Sequence, residues 1–291
     1  METLQHIIPL LITSSLAGLV LAVGLHADRG DVMYVIRRPP LLARAILAVL
    51  IVPPVAAWLL VSIAPLDLPV KAGILLMAIS PVPPLVPGKE LAVGGRKEYA
   101  YGLYVAMALL TVVSVPLLVA IAARLFGRDD FVSIRHMAQT VLLGVLLPLA
   151  IGIFIRRVAP HFAERAWSVV YKGSMVLVLL AFTPVLVKAW PAFTDLIGNG
   201  ALLAMAAGTI IALIAGHVLG GPDRRDRATL ATAASVRHPG IAMSLAGAFA
   251  HDPRVTAAIL LFMVVGLVIS VPYTMWVRRR SGRAPSTIAH A

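Results

Sequence analysis

The chain has 291 residues, of which 60% are hydrophobic and 13% charged, and its mean hydropathy is +0.93. A soluble domain carries about 25% charged residues, so lipid must be the solvent for much of this chain. The sequence has no cysteine, which excludes disulfides and thiolate metal sites. Its formal net charge is +12, but the basic residues flank apolar runs, which is typical of membrane topology rather than of nucleic-acid binding.

Apolar stretches follow one another along the whole sequence, and a membrane-spanning helix needs about 20 mostly apolar residues. The uninterrupted stretches are Ile7–His26, Leu41–Ile63, Tyr99–Leu125, His136–Ile155, Trp167–Ala189, Ala201–Leu219 and Arg254–Val277. Together with two interrupted stretches, they predict an all-α polytopic membrane protein with about nine transmembrane helices.

The two interrupted stretches are Val70–Val93 and Ala228–Ala250. The interruptions are Pro81, Pro83, Pro84 and Pro87-Gly88 in the first, and His238-Pro239-Gly240 in the second. Proline removes a backbone donor and clashes with the preceding turn, so we predict that both stretches are discontinuous helices. Unwound backbone at membrane depth is tolerated only where protein covers it or where it lines a cavity.

The distribution of basic residues predicts the orientation of the chain in the membrane. Most Lys and Arg residues lie in the loops after spans one, three, five and seven and at the C-terminal end, where the run Arg278 to Arg280 follows the last span. The opposite side has six: Lys71, Arg124, Arg128, Arg135, Lys188 and Arg254. Because cytoplasmic loops are enriched in basic residues, we expect a plasma (inner) membrane protein with its N-terminus outside and its C-terminus in the cytoplasm.

The broken spans occupy corresponding places in the two halves of the chain. Residues 131–280 hold five spans with the fourth broken, and residues 1–130 hold four with the third broken. We therefore predict two inverted repeats in one transmembrane unit, residues 1–291, with a cytoplasmic tail at 281–291. Paired interruptions in inverted halves are the best sequence pointer to a transporter's binding site. Two unrelated proline kinks are the alternative.

Several short motifs, in this order and spacing, resemble the bile acid:sodium symporter family over Ile7 to Arg280. They are Ile51-Val52-Pro53-Pro54, Ser80-Pro81, Ser235-Val236-Arg237-His238-Pro239-Gly240-Ile241-Ala242 and Val271-Pro272-Tyr273. The resemblance implies a nine-span member without the family's first helix. It also implies a panel domain packed on a core domain, two broken helices that cross in the core, and transport of small or amphipathic organic anions with sodium.

The sequence departs from the sodium-coupled members of that family at both breaks. Those members carry a Ser-Asn pair after the first break, where this sequence has Val86 and Pro87. They carry a Gln-Asn pair at the second break, where this sequence has Arg237 and His238. The matched positions therefore lose side-chain oxygens, which are the ligands that sodium needs.

Two further matched positions point in the same direction. The family's acidic sodium ligand falls on Ala233, and a polar ligand on the second span falls near Ala48 or Val49. A guanidinium at Arg237 would also repel a nearby cation, although backbone carbonyls could still contribute ligands. We therefore expect no metal site at these positions and no cofactor, with sodium coupling doubtful and proton coupling an open alternative.

Ionisable residues beside the breaks are the candidate site residues, because such groups inside a membrane are paired, hydrated or functional. The predicted substrate-binding residues are Lys89, Glu90, Arg237 and His238, with the helix-breaking residues Pro87, Gly88, Pro239 and Gly240. Lys89 and Arg237 would supply fixed positive charge where relatives bind sodium, and would attract a substrate carboxylate.

Other interpretations of these four ionisable residues stay open at this point. Lys89 and Glu90 could be solvated residues at the end of a broken helix. Arg237 could be a structural partner of Glu90 rather than a substrate ligand. His238 could relay protons, because histidine titrates between about pH 5 and 8, or it could cap the break by bonding a free carbonyl.

The sequence therefore predicts a secondary transporter of a small organic anion that works by alternating access without sodium. A conventional sodium:organic anion symporter and a non-transporting anion sensor or channel are the alternatives. No catalytic motif is present, and no pair of intramembrane carboxylates, so an enzyme is not expected. The expected partners are the substrate and the lipid bilayer, with no nucleic acid, and the sequence does not predict the oligomeric state.

Overall fold

The computed structural model describes residues 2–125, 138–139, 141–197, 200–249 and 252–280. Its α-helices are α1 (Glu2–His26), α2 (Arg29–Ile36), α3 (Pro39–Ile46), α4 (Val52–Ile63), α5 (Leu68–Ile79), α6 (Val86–Ala92), α7 (Lys97–Leu125), α8 (Leu147–Val158), α9 (Pro160–Leu196), α10 (Ala201–Leu219), α11 (Arg224–Ser235), α12 (Pro239–Phe249) and α13 (Pro253–Arg280). Two π-helical turns, Leu47–Ile51 and Leu142–Leu146, precede α4 and α8. Outside the described residues lie Arg128, Arg135, the predicted start of a span at His136, and the tail 281–291.

Within the described residues, five helices are long and apolar enough to cross a membrane. They are Pro39–Ile63, Lys97–Arg124, Pro160–Leu196, Ala201–Leu219 and Pro253–Arg280. A sixth candidate is α1 together with α2, which bend by 89° relative to each other. The prediction of an all-α polytopic membrane protein is confirmed, whereas the count of nine spans and the inverted repeats stay predictions.

Both predicted breaks are present, and each ends earlier in the chain than the sequence suggested. The chain is unwound over residues 80–85 between α5 and α6, and over residues 236–238 between α11 and α12. Pro87-Gly88 and Pro239-Gly240 were predicted to be part of the interruptions, but they lie in the first turns of α6 and α12. A proline costs little there, since the first amides of a helix have no intrahelical acceptor in any case.

The two broken helices cross each other. The first half of one contacts the second half of the other: α5 packs against α12, and α6 packs against α11. This reciprocal contact brings the unwound segments 80–85 and 236–238 to the same place in the molecule. It is the crossing that the family resemblance implied.

The remaining helices form two groups. We call α1, α8 and α9 the panel, because α1 packs extensively on both of the others. Glycines allow the close approach: a Cβ atom on Gly24 would lie 2.6 Å from the carbonyl oxygen of Leu149 and 2.9 Å from the Cα atom of Gly152. We call α2–α7 and α10–α13 the core, and the panel contacts it through α9 against α13 and α1 against α12.

Candidate functional site

Arg237 lies in the second break, and its guanidinium group fills the crossing. Its side chain is buried, and the residue is 5% exposed. Nη2 donates to the carbonyl oxygens of Val49 at 2.9 Å and Ala234 at 2.8 Å, and Nη1 donates to the carbonyl oxygen of Ser80 at 3.4 Å. A permanent cation is therefore surrounded by backbone carbonyls from three separate segments of the core.

Prolines in the sequence explain why two of these carbonyls are free. The amide that would bond the carbonyl of Val49 belongs to Pro53 in an α-helix and to Pro54 in a π-helix, and neither proline has an N–H group. The corresponding α-helical donor for Ser80 would be Pro84, which also lacks one. The two prolines of the motif Ile51-Val52-Pro53-Pro54 thus leave the carbonyl oxygen of Val49, on the second span, free to bind a cation.

The third carbonyl, that of Ala234, lies in the last turn of α11, where helix carbonyls lack intrahelical donors. Its α-helical donor would be the amide of His238, which instead donates to Ser80 Oγ at 3.1 Å. Val49 is a position where the resemblance suggested a sodium ligand, and Ala234 follows Ala233, another such position. Arg237 therefore contacts backbone at the same part of the crossing where sodium ligands were matched.

His238 caps the start of α12. Its Nδ1 atom accepts a hydrogen bond from the backbone amide of Ile241 at 3.2 Å, and the residue is 2% exposed. The sequence suggested that the imidazole would bond a free carbonyl, but it bonds a free amide, because a helix N-terminus has unpaired donors rather than acceptors. Nδ1 is therefore unprotonated in this arrangement.

A cavity of about 250 Å³ lies beside the crossing, between α6, α11 and α13. Three of the side chains that line it are cationic, namely Lys89, Arg237 and Arg278, and its described lining contains no Asp or Glu. Arg278 Nε donates to the carbonyl oxygen of Ala92 at 3.1 Å, and Lys89 has no acceptor within the described part of the chain. We call this space the cationic cavity.

Hydroxyl groups and apolar side chains complete the walls of the cationic cavity. The polar residues are Thr232, Ser235, Ser270, Tyr273 and Thr274, and the apolar ones include Met77, Leu213, Phe262 and Met263. This combination of a few convergent polar groups with apolar walls is typical of a small-molecule site. The cavity can therefore hold an anionic group together with a small apolar body.

Glu90 lies outside the cationic cavity although it follows Lys89 directly. It is 1% exposed, and neither carboxylate oxygen has a hydrogen-bond partner among the described residues. The suggestion that Glu90 is a solvated helix-end residue is therefore wrong. The suggested ion pair between Arg237 and Glu90 is not formed either, since the hydrogen bonds of Arg237 all go to carbonyl oxygens.

Gly88 and Gly240 face the panel. A Cβ atom on Gly88 would lie 3.7 Å from the Tyr171 hydroxyl on α9, and one on Gly240 would lie 2.3 Å from Leu16 Cδ1 on α1. The first turns of α6 and α12, which contain Pro87 and Pro239, thus contact the panel. The structure divides the predicted site residues: Lys89 and Arg237 meet at the cationic cavity, whereas the glycines lie at the boundary between panel and core.

Arg278 and the carbonyl oxygens of Val49 and Ser80 were missed by sequence reasoning. Arg278 was interpreted only as a cytoplasmic topology signal, and its position opposite α6 depends on the packing of α13. The Val49 carbonyl could have been found from the sequence, because the consecutive prolines Pro53-Pro54 remove both amides that could bond it.

Two broken helices that cross in a core and face a separate helical panel define a polytopic membrane protein of the transporter class. The sequence model of the Sodium Bile acid symporter family matches residues 13–193, and the chain belongs to that family. The match includes the first broken helix and ends within α9, before the second broken helix. A search of curated proteins finds no match to the chain. The predicted family is confirmed, and it comprises transporters rather than enzymes.

Proposed function

We propose that this protein carries a small or amphipathic organic anion across the plasma membrane by alternating access, without sodium. The observation that supports it best is the cationic cavity, in which Lys89, Arg237 and Arg278 converge beside the crossing without an acidic residue in the described lining. The proposed orientation has the N-terminus outside and the C-terminus in the cytoplasm, as the distribution of basic residues favours.

Lys89 is the proposed ligand of the substrate's anionic group. Its ammonium has no protein acceptor in the described residues, and it lines a cavity that is otherwise mostly apolar. A desolvated ammonium without a partner is costly, so an incoming carboxylate or sulfonate would gain a charge-assisted hydrogen bond there. Arg237 contributes positive charge, and its Nε–H group is free of the three carbonyl contacts.

Arg237 also supports sodium independence. Sodium is bound by oxygen atoms, and the carbonyls of Val49, Ser80 and Ala234 already accept from the guanidinium. A sodium ion would have to displace a cation that is attached covalently to the chain. We propose that the guanidinium acts as a permanent replacement for a transported cation.

Alternating access requires that panel and core separate, and the contacts between them are suited to this. Near the end predicted to face the cytoplasm, Asp28 follows α1 and accepts from Lys97 on α7 at 3.2 Å and from Arg156 on α8 at 3.0 Å. Such exposed ion pairs are worth about 0–1 kcal/mol, so the panel can leave the core at low cost. His26, the last residue of α1, also makes aromatic contacts with Tyr101 on α7 and Trp167 on α9.

The test begins with a thermal-shift screen of small organic anions on the purified protein, followed by uptake of the best binder into proteoliposomes. Lys89→Ala should weaken binding by about 1.5–3 kcal/mol, the value of a charged hydrogen bond. Lys71→Ala is the matched control, because Lys71 lines a different cavity at the predicted outer end of α5.

The outcomes separate the three candidate functions. Uptake that is unchanged when potassium or choline replaces sodium supports the proposal. A saturable sodium requirement would instead identify a conventional symporter that uses backbone ligands. Binding without any flux would identify an anion sensor. Equal effects of Lys89→Ala and Lys71→Ala on affinity would show that the cationic cavity is not the binding site.

A further inference from the structure

Glu90 is a buried acid that the proposed binding of substrate does not use. It lies on α6, one helical turn after the first break, and is 1% exposed. Both of its carboxylate oxygens are without a hydrogen-bond partner in the part of the chain that the structure describes. Native proteins pair the great majority of buried polar atoms, so an exception of this kind needs a physical reason.

Among the described residues, no cation forms an ion pair with Glu90 from the helices packed around it. From α7, the groups that interact with it electrostatically are the phenols of Tyr99 and Tyr101. Arg96, which directly precedes α7, pairs instead with Asp226 on α11. Asp226 accepts from Arg96 Nε at 3.0 Å and from the Tyr34 hydroxyl at 2.9 Å.

The other charged groups close to α6 also have other contacts. Lys89 lines the cationic cavity, and Arg278 bonds the carbonyl oxygen of Ala92. A carboxylate buried without a partner costs many kcal/mol, and in proteins such a group takes up a proton instead. Glu90 therefore carries a proton in this conformation.

The location of this acid argues against a purely structural role. A neutral carboxyl group that stabilised the fold would donate its proton to an acceptor, and Glu90 has none among the described residues. The first turn of its helix contacts the panel, since a Cβ atom on Gly88 would lie 3.7 Å from the Tyr171 hydroxyl. The same seven-residue helix thus contacts the panel, lines the cationic cavity through Lys89 and buries the acid.

We propose that Glu90 is the proton-binding site of the transport cycle, protonated in this conformation and deprotonated when the panel leaves the first turn of α6. Separation of the panel from α6 would admit water beside the carboxyl group, and the hydrated carboxylate would then be stable. The role in transport depends on the proposed function, whereas the proton-linked conformational change can be measured without any substrate.

The first experiment detects the proton directly. Infrared difference spectra of the reconstituted protein are recorded for wild type against Glu90→Gln at neutral pH. We expect the carbonyl stretch of a protonated carboxylic acid in wild type and its loss in Glu90→Gln, while Glu98→Gln, a matched change at an exposed residue, retains it. Absence of the band from wild type would mean that Glu90 is ionised, and the proposal would be wrong.

The second experiment tests whether the proton is linked to the panel. The chain has no cysteine, so a single Tyr171→Cys substitution places one thiol on α9 opposite Gly88. Its labelling rate is followed from about pH 6 to about pH 10, a range that brackets the titration of buried glutamates in other proteins. The same thiol in a Glu90→Gln background corrects for the pH dependence of thiol chemistry itself.

With Glu90 present, labelling should rise about tenfold more over this range than in the Glu90→Gln background, a shift of ~1.4 kcal/mol between the two conformations. The infrared band should decline over the same range. A band that persists at every pH, with equal labelling in both backgrounds, would identify a sealed structural acid and overturn the proposal. Because neither measurement uses a substrate, failure here is distinct from failure of the anion-transport proposal.

Discussion

Arg237 and Glu90 are both buried beside the crossing of the two broken helices, and the two side chains have opposite surroundings. Arg237, in the second break, donates to three carbonyl oxygens at 2.8–3.4 Å. Glu90, just after the first break, has no hydrogen-bond partner among the described residues. The guanidinium thus has three carbonyl acceptors, whereas the carboxyl group has no partner in the described part of the chain.

This difference assigns the two helices different parts in the proposed cycle. A guanidinium that donates to carbonyl oxygens of three separate segments is held in place, so Arg237 acts as a fixed part of the crossing. A carboxyl group without partners breaks no hydrogen bond when its surroundings change, so Glu90 can gain or lose a proton as the helices move.

Removal of the guanidinium should have the largest effect on stability. Arg237→Met leaves the carbonyl oxygens of Val49, Ser80 and Ala234 without their donor, so we expect a loss of about 1.5–3 kcal/mol in the free energy of unfolding. The melting temperature in detergent measures this change. Arg44→Met, on the exposed face of α3, is the matched control and should stay within about 0.5 kcal/mol. Equal melting temperatures for the two variants would mean that the carbonyl contacts of Arg237 contribute nothing.

Replacement of the acid should have the opposite sign. Glu90→Met fills the same space without an unpaired polar group, so we expect a gain of about 1–3 kcal/mol in stability. A higher melting temperature combined with the loss of pH-dependent labelling at Tyr171→Cys would separate a functional acid from a structural one. A clear loss of stability in Glu90→Met would show that the carboxyl group has a partner after all.

Restoring a donor to the second span should compensate partly for the lost guanidinium. Pro53→Ala adds an amide that can bond the carbonyl oxygen of Val49 in an α-helical turn. In an Arg237→Met background, this change should recover about 0.5–1.5 kcal/mol, the usual net value of a hydrogen bond. In wild type it should bring no such gain, because Arg237 already donates to Val49. Equal effects in both backgrounds would show that Pro53 and Arg237 act independently.

The ion pairs at the predicted cytoplasmic end should have the smallest effect. Burial alone would raise the pKa of the Asp28 carboxyl, but hydrogen bonds from Arg156 and Lys97 more than offset burial and lower the pKa below its ordinary value. Asp28 therefore stabilises the fold above its ordinary pKa of 3.8, and this contribution is lost as the pH falls through the lower, folded-state pKa.

Melting temperatures measured from about pH 6 to about pH 3 should thus fall more steeply for wild type than for Asp28→Asn. The difference should stay below about 1 kcal/mol, because the Asp28 side chain is 42% exposed and solvent screens the pairs. Parallel curves for the two proteins would show that the ion pairs of Asp28 do not contribute to stability.

The helices and both breaks were predictable because the hydropathy of a stretch and the positions of its prolines determine its local backbone structure. The bounds of Ala201–Leu219 were predicted to the residue, and the unwound segments follow the prolines closely. The panel and core came from the family resemblance rather than from the residues. Proline at a first helical turn was misread as a break at Pro87 and Pro239, because the sequence does not reveal on which side of a proline the helix resumes.

The site was less predictable because its contacts join residues that are distant in sequence. Arg237 and Lys89 were correctly expected near the crossing, but their neighbours depend on how α6 and α11 pack. Adjacent residues such as Lys89 and Glu90 point to different sides of one helix, and the sequence alone could not tell which side was buried. Whether any of these residues binds the substrate stays a prediction.

In the proposed mechanism, the guanidinium of Arg237 takes the place of sodium at the crossing. The most direct test is the affinity of the purified protein for its best organic-anion ligand, measured in sodium and again in potassium or choline at equal ionic strength. If the guanidinium replaces sodium, the affinities in the two salts should agree within about twofold, or roughly 0.4 kcal/mol. A saturable sodium dependence of about tenfold or more, ~1.4 kcal/mol, would contradict it.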